Sequence, residues 1–273
     1  MTYLNFKSEY DKYPETRVDG FTDEAFKGWS EIRDLLNRKM ADNTVLIVDC
    51  YPGVIDDEVF KNIKECYPFD LVINADDVFY DGNKLTEMMK PFLTEDRVRG
   101  IYYYGKAEDF IDCQKFNEAV KETEEALSAG NKVLIYGFCA SLICNQGLLV
   151  YADMTRWEAT LRYRRGRPNY KQTNYDEDSL KKIKRGYFIE WRIADRHKEE
   201  LYDRIDYYID TNEEGKPNMV SGEGLRAGLK KLTGKPFRMV PYFDPGVWGG
   251  QWMKEVCNLD PSQKNYAWSL DRK

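Results

Sequence analysis

The stretch "TVLIVDC" (residues 44–50) is followed directly by the turn-forming residues Tyr51-Pro52-Gly53. A continuous apolar run that ends at such a turn predicts a strand buried on both faces of a sheet. Similar runs alternate with segments of helical periodicity along most of the chain, which predicts an α/β fold with a doubly wound, mainly parallel sheet. Ligands of such sheets bind beyond the carboxyl ends of the strands. The other predicted strands cover 69–78, 97–105, 131–143, 147–154 and 206–211.

Amphipathic periodicity predicts the helices between these strands. The first covers 22–40, with Thr22 as the expected N-cap residue. A long helix over 107–129 is expected to end at Gly130, because glycine is favoured just beyond a helix C-terminus. The remaining predicted helices cover 56–66, 155–165, 178–184, 189–205 and 221–232.

Charge and composition disfavour several classes of partner. The formal net charge is -6, so a nucleic acid is not the expected partner. No apolar run reaches the roughly 18 residues of a transmembrane helix, and residues 1–11 lack the apolar segment of a signal peptide. We therefore expect a cytoplasmic protein with no membrane partner. The single histidine, His197, cannot provide a zinc site with two His ligands.

The turn after the first buried strand lacks the residues that grip nucleotide phosphates. The G-x-x-x-x-G-K-[ST] loop supplies backbone N–H groups, a lysine for charge and a hydroxyl for magnesium. The corresponding residues, "DCYPGVIDD" (49–57), contain no Lys, Ser or Thr, and Pro52 removes one N–H donor. Asp49, Asp56 and Asp57 would repel a triphosphate. We therefore predict that a phosphate loop is absent.

Two stretches, "GNKVLIYGFCASLI" (130–143) and "GLLVYADMTRWEATLRYRRGR" (147–167), resemble the uridine kinase and phosphoribulokinase family. In that family a buried strand leads into an acid-Gly turn, a second strand ends in Asp, and a helix then carries the arginines of a lid over the nucleotide. Here the turn is Tyr136-Gly137, without the acid, and Asp153 holds the strand-end position. The lid positions are held by Arg162, Arg164, Arg165 and Arg167.

The resemblance covers roughly residues 45–211 and implies a kinase-like fold from which the phosphate loop has been lost. Under it, the four arginines are candidates for a clamp on phosphate, because a planar guanidinium binds phosphate oxygens in pairs. The alternative is a solvated helix face. His197, between Arg196 and Lys198 on a predicted helix, is expected at the surface.

Acidic residues at strand ends form a second candidate set for ligand binding. Asp49 and Asp153 end two of the predicted strands, and Asp76 with Asp77 follows another. Asp76 and Asp77 are suited to act as a general base or as magnesium ligands. The alternative is that these acids only form turns.

The C-terminal tail resembles a different family. "PYFDPGVWGGQWMKEV" (241–256) is similar to the first strand of class I mannose-6-phosphate isomerases, which carries a Trp-Gly-Gly element. "NYAWSLD" (265–271) lies where that family has a Glu-x-Trp element, with Ala267 in place of Glu. Some long bacterial members of that family carry a kinase-like region before their cupin barrel. The family's zinc ligands lie further into the barrel and match no residue here, so the resemblance implies zinc only in a downstream cupin domain and no metal or cofactor in this chain.

Together these observations predict a degenerate kinase-like domain over 1–235 and an extended segment over 236–273. The favoured hypothesis is a mannose-6-phosphate isomerase-related protein or fragment. Its kinase-like domain would be a non-catalytic module that binds a sugar phosphate or nucleotide, or that assembles with a cupin domain in cis or with a second copy. Whether the chain is an enzyme stays open. The alternatives are a small-molecule kinase with an altered phosphate loop and a stand-alone regulatory binder.

Overall fold

A computed structural model describes residues 15–234, 237–244, 258 and 265–272. The chain divides into two units: one spans Phe21–Leu225, and the other takes the residues on either side of that span. The larger unit contains the sheet and the candidate site.

A seven-stranded sheet forms the centre of the larger unit. The strands lie in the order β1-β7-β6-β5-β2-β4-β3. The five neighbouring strands β6, β5, β2, β4 and β3 are parallel, whereas β7 and β1 are antiparallel additions at one edge. The predicted α/β fold with a mainly parallel sheet is therefore confirmed. In chain order the strands are β1 (Ala25–Lys27), β2 (Val45–Cys50), β3 (Leu71–Asn74), β4 (Val133–Gly137), β5 (Leu148–Asp153), β6 (Tyr207–Asp210) and β7 (Asn218–Ser221).

Helices connect these strands, as expected for parallel neighbours that need a crossover. A π-helical turn, Gly186–Glu190, joins two of the helices into one continuous element. No helix in the described ranges is long and apolar enough to cross a membrane. The helices are α1 (Gly28–Asp42), α2 (Asp56–Lys64), α3 (Gly82–Met89), α4 (Cys113–Ser128), α5 (Arg156–Arg164), α6 (Ser179–Arg185), α7 (Trp191–Leu201) and α8 (Gly222–Thr233).

The central strand β2 is buried along its whole length, as its apolar run predicts. It pairs with β4 on one side and β5 on the other, so that Ile47 lies opposite both Ile135 and Leu149. All six residues of β5 are buried as well. Complete burial of an aliphatic side chain contributes about 1.5–3 kcal/mol, and these strands therefore anchor the core.

The N-terminal helix begins later than its periodicity predicts. Residues 25–27 form β1, which pairs with β7, and α1 starts only at Gly28. Thr22 is consequently not the N-cap of this helix, and its segment is a short 3-10 turn. Pairing along the sheet edge overrides the local helical pattern.

The predicted strand over 97–105 is wrong. The carboxylate of Asp96 accepts hydrogen bonds from the backbone N–H groups of Val98 (2.8 Å) and Arg99 (2.7 Å), which curls the chain locally. Further on, the N–H of Tyr103 donates to the carbonyl of Phe188, in the π-helical turn. Aromatic residues here cover the outside of a helix instead of pairing in the sheet.

The long helix predicted over 107–129 is also shorter than expected. Ala107–Phe110 forms a separate 3-10 turn, and α4 begins after Asp112, whose side chain caps it. Its predicted end is confirmed: Gly130 has φ +81°, and the N–H of Asn131 reaches back to the carbonyl of Ala126. This is the hydrogen bond of a Schellman cap.

The C-terminal segment contains two paired strands. β8 (Phe237–Asp244) and β9 (Asn265–Arg272) run antiparallel in a separate two-stranded sheet. The sequence predicts an extended segment here but does not reveal this pairing. The Trp-Gly-Gly element at 248–250 lies outside the described residues, and a domain boundary at residue 235 stays a prediction.

We expect Gly137→Ala to destabilise the protein far more than Gly130→Ala. Both glycines have positive φ, +122° and +81°, but a Cβ at Gly137 would lie 3.1 Å from Asn74 Oδ1 and 3.2 Å from the Asp76 nitrogen. Nothing lies within 4 Å of a Cβ at Gly130. Backbone strain costs about 1–2 kcal/mol at either site, and crowding adds about 1–3 kcal/mol at Gly137. Equal losses in urea unfolding of the two variants would contradict this packing.

Candidate functional site

A cleft of about 860 Å³ opens at the carboxyl edge of the sheet. In the sheet, β3 and β4 lie on one side of β2, whereas β5 and β6, which follow them in the chain, lie on the other side. The connections between strands therefore reverse direction at β2. Such a reversal separates the connections and creates a crevice for ligands in open α/β sheets. The cleft is bounded by the turn after β2, the turn after β3 and residues 165–176. Its charged lining residues are Asp56, Asp57, Asp76, Asp176, Glu214, Arg162, Arg165, Arg167 and Lys171.

The turn after β2 is tight and presents few amide donors to the cleft. The N–H of Val54 bonds to the carbonyl of Tyr51 at 3.1 Å, and Gly53 has φ +104°, which is the pattern of a type II turn. The N–H of Tyr51 is bonded to Ala152 on β5, and Pro52 has none. This turn therefore cannot wrap a phosphate with backbone N–H groups as a phosphate loop does.

Acidic side chains occupy the start of α2, immediately after this turn. Asp56, Asp57 and Glu58 form the first turn of the helix, and the residue before them makes no side-chain cap. Carboxylates are stabilised by the positive end of a helix dipole. The helix terminus that would attract an anionic ligand is thus already supplied with negative charge by the protein itself.

Arg162 is a structural residue that forms part of the cleft wall. Only 5% of it is exposed, and its guanidinium donates to the carbonyls of Gly53 (2.9 Å) and Thr211 (2.6 Å) and to Glu158 (3.1 Å). Burial lowers the pKa of this arginine, although Glu158 opposes the shift. Because its donors are engaged in the fold, Arg162 holds the turn after β2 against the end of β6.

The other three arginines differ in their access to the cleft. Arg165 lines the cleft and is paired with Glu158 while 61% of its side chain stays exposed. Arg167 lines it too, bonded to the carbonyl of Val54 and lying 3.3 Å from Asp56. Arg164 is exposed and is not part of the lining. The structure therefore brings two accessible cations of the predicted set to the cleft.

Asp76 joins three walls of the cleft. Its Oδ1 accepts from the N–H of Phe138 (3.0 Å) and from the hydroxyl of Tyr170 (2.7 Å), while Lys171 donates to its carbonyl oxygen (2.6 Å). Burial raises the pKa of this carboxyl, and these donors oppose the rise. Asp77, its neighbour, is exposed and outside the lining.

Among the acids of the cleft whose pKa is shifted, Asp56 has the more exposed side chain. Its pKa is raised to about 7, first because surrounding protein atoms exclude water and then because Asp76 repels its charge, whereas Arg167 lowers it. Yet 56% of the side chain remains exposed. The desolvation therefore comes from the concave walls around an open carboxylate, and solvent in the cleft screens part of the effect.

Asp49 and His197 meet inside the protein instead of at a ligand site. Asp49 is fully buried and accepts from the N–H groups of Cys139 (3.2 Å) and Ser141 (3.1 Å) and from the Ser141 hydroxyl (2.7 Å). His197 Nε2 lies 2.8 Å from Asp49 and 3.1 Å from Ser141. A Ser-His-Asp relay needs both ring nitrogens, whereas one nitrogen serves both partners here. The cluster therefore stabilises the fold, and the expected surface position of His197 is wrong.

Asp153 is likewise buried at the end of β5. It accepts from Lys198 (2.9 Å), from the hydroxyl of Tyr208 and from the N–H of Met154 (2.8 Å). It is absent from the lining of the cleft. These bonds tie α7 and β6 to β5, which assigns the carboxylate a role in the fold.

Sequence patterns did not identify several residues of the cleft. Tyr170, Lys171 and Tyr175 lie in an irregular segment between α5 and α6, where no periodicity shows which side chains face inward. Lys171 has φ +51°, an uncommon conformation that often marks functional segments. Burial lowers its pKa although Asp76 opposes the change. The only sequence signal was the mixture of basic and aromatic residues in this stretch.

Metal-ligating side chains do not gather in the part of the chain that the structure describes. No group of three or more His, Cys, Asp or Glu side chains there is placed to hold an ion. Five cysteines in that part are free.

The fold and the cleft define an α/β domain with a candidate ligand site at the carboxyl edge of its sheet. Residues 28–234 match a family model described as "Domain of unknown function (DUF8485)", and the chain belongs to that family. The match includes every residue that lines the cleft. A comparison with curated proteins finds no match.

We expect the free energy of unfolding to fall as the pH rises above about 6.5 because of His197. Burial lowers its pKa, but the charge and hydrogen bond of Asp49 outweigh burial, so the folded pKa is raised above 6.5. The proton it holds stabilises the fold below the unfolded pKa, and this contribution is lost as the pH rises through the folded value, with a slope of at most about 1.4 kcal/mol per unit.

His197→Gln removes the titrating group, so its urea stability should vary less over the same range. Asp56→Asn is the matched control: it removes the carboxyl whose pKa is about 7 and should keep the slope above that pH. A wild-type protein whose free energy of unfolding stays constant as the pH rises above about 6.5 would contradict the assignment.

Proposed function

We propose that the domain is a non-catalytic module that binds a small metabolite with one phosphate group, a sugar phosphate or a nucleoside monophosphate. The observation that carries this proposal is the pair of accessible arginines, Arg165 and Arg167, which line an open cleft at the carboxyl edge of the sheet together with acidic side chains. The expected ligand places its phosphate on the arginines and its hydroxyl groups towards the carboxylates.

The chemistry of the two walls supports this class of ligand. Guanidinium groups bind phosphate oxygens through paired, charge-assisted hydrogen bonds. Carboxylates such as Asp56 and Asp57 accept hydrogen bonds from hydroxyl groups, which sugars and riboses provide in number. Tyr175 lines the same cleft with 58% of its surface exposed, and its ring offers a face on which a sugar or base can stack.

The balance of charge disfavours a nucleoside triphosphate. Five acids and four basic residues line the cleft, and one of those bases, Arg162, is already engaged by backbone carbonyls. The tight turn at Tyr51–Val54 offers no set of free amides in compensation. A highly charged ligand would therefore meet carboxylates beside the few basic groups that remain available to it.

The resemblance to nucleoside kinases is compatible with the strand order. The parallel strands lie as β3-β4-β2-β5-β6, so the first buried strand is central and the chain crosses it between β4 and β5. We propose that this frame keeps the binding cleft of a kinase-like ancestor without its phosphate loop.

On the resemblance of the tail alone, we further propose a role beside a mannose-6-phosphate isomerase-type protein. The partner would be a cupin domain in the same chain or a second copy, and zinc would belong to that cupin domain only. A sugar phosphate is the ligand class that this relation shares with the charge pattern of the cleft.

A second candidate function, a small-molecule kinase with an altered loop, is favoured by Asp56. A carboxyl with a pKa of about 7 that faces an open cleft is suited to accept a proton from a ligand hydroxyl. Incubation with MgATP and either uridine or mannose separates the two functions. Formation of ADP together with a phosphorylated product would establish the kinase and overturn the non-catalytic proposal.

We expect Arg165→Ala to weaken binding of UMP or mannose 6-phosphate by about tenfold or more, because it removes charge-assisted hydrogen bonds worth about 1.5–3 kcal/mol. Arg164→Ala is the matched control, since Arg164, the last residue of α5, is exposed but lies outside the lining. Isothermal titration calorimetry measures both. Equal effects of the two variants, or no binding of either compound to the wild type, would count against the proposed function.

A further inference from the structure

Asp56 is an anionic side chain of the protein itself, and it pairs with Arg167, a cation in the lining of the cleft. Arg167 Nη2 lies 3.3 Å from Asp56 Oδ2, and the same nitrogen donates to the carbonyl of Val54. The arginine side chain is 28% exposed and the aspartate 56%. Both partners are therefore within reach of a ligand. The bond between them is a surface ion pair, which contributes little free energy and is readily replaced by a contact with a ligand.

We propose that the ligand's phosphate replaces Asp56 as the partner of Arg167, and that Asp56 thereby makes the cleft select a single phosphate over di- and triphosphates. This inference rests on the proposed function and adds the residue that determines its specificity. The displaced carboxylate stays on the first turn of α2, which confines it near the phosphate.

Charge explains the direction of the selection. A terminal phosphate that binds Arg167 brings any further phosphate groups of the ligand close to Asp56 and Asp57. Each added negative charge at about 6 Å from a carboxylate costs about 1 kcal/mol at an effective dielectric constant near 55, which is roughly fivefold in affinity. In the tight turn at Tyr51–Val54, the N–H groups of Tyr51 and Val54 are bonded within the protein and Pro52 has none, so the turn supplies few donors to offset this repulsion.

Protonation of Asp56 provides an independent readout. Arg167 is the neighbour that lowers its pKa, while Asp76 and Asp57 raise it. The charge of Asp56 also acts on three other titratable groups, which are Cys50 on β2, Tyr136 on β4 and Tyr170 in the segment after α5. A phosphate that takes over Arg167 removes the lowering influence and adds a negative charge, so Asp56 binds a proton as the ligand binds.

The test is calorimetric titration of wild type, Asp56→Asn and Asp57→Asn with UMP, UDP and UTP, without magnesium, at pH 9, where Asp56 is ionised before the ligand binds, and at pH 7.5 in two buffers of different ionisation heat. For the wild type we expect affinity at pH 9 to fall by roughly fivefold with each added phosphate and UMP at pH 7.5 to bind with uptake of about half a proton. Asp56→Asn should bind UDP and UTP within about threefold of UMP and take up no proton beyond that of the ligand itself. Asp57→Asn makes the same charge change one residue away and should keep the proton uptake.

The outcomes separate this inference from the proposed function. If the wild type binds UMP but the three nucleotides bind alike, or if Asp56→Asn and Asp57→Asn behave identically, the selectivity role of Asp56 is overturned while the binding function stands. If neither UMP nor mannose 6-phosphate binds to the wild type or to Asp56→Asn, the proposed function is overturned, and the inference with it.

Discussion

The carboxylate of Asp49 is the buried charge on which the geometry of the cleft depends. A buried carboxylate must receive hydrogen bonds or it costs several kcal/mol, and here the chain around Cys139 and Ser141 curls to provide them. That curl places Cys139 in a left-handed conformation, φ +55°. Phe138, directly before it, then donates its N–H to Asp76. The wall of the cleft at the end of β3 therefore follows from a side chain at the end of β2.

The need of buried polar groups for hydrogen bonds also explains why the arginine-rich segment has two roles. Arg162 points into the protein and uses its donors on the carbonyls of Gly53 and Thr211, since a buried guanidinium must satisfy several N–H groups at once. Arg165 and Arg167, past the end of the regular helix, face the open cleft instead. One short stretch thus fixes the floor of the cleft and supplies its accessible positive charge.

The sequence was sufficient to predict the strands whose burial leaves no polar face, as β2 and β5 illustrate. It failed for 97–105, because tyrosines favour strands and equally favour packing against a helix, and only tertiary contacts decide between these outcomes. For the site, residue type identified Arg165 and Arg167 but could not separate them from Arg162 or Arg164, whose orientation depends on where α5 ends. Tyr170 and Lys171 belong to an irregular segment, for which periodicity gives no information.

The start of α2 shows how acidic residues at a helix N-terminus change the physical basis of recognition. A helix N-terminus normally attracts an anionic ligand through its free N–H groups and its dipole. Here Asp56, Asp57 and Glu58 supply that negative charge from within the chain, so the attraction is already satisfied. Under the proposed function, a ligand anion instead binds the accessible arginines, and at Arg167 it competes with the carboxylate of Asp56 for the same guanidinium. Recognition in such a cleft depends on the charge of the ligand as well as on its shape, because each additional negative group meets an acid that the protein has already placed there.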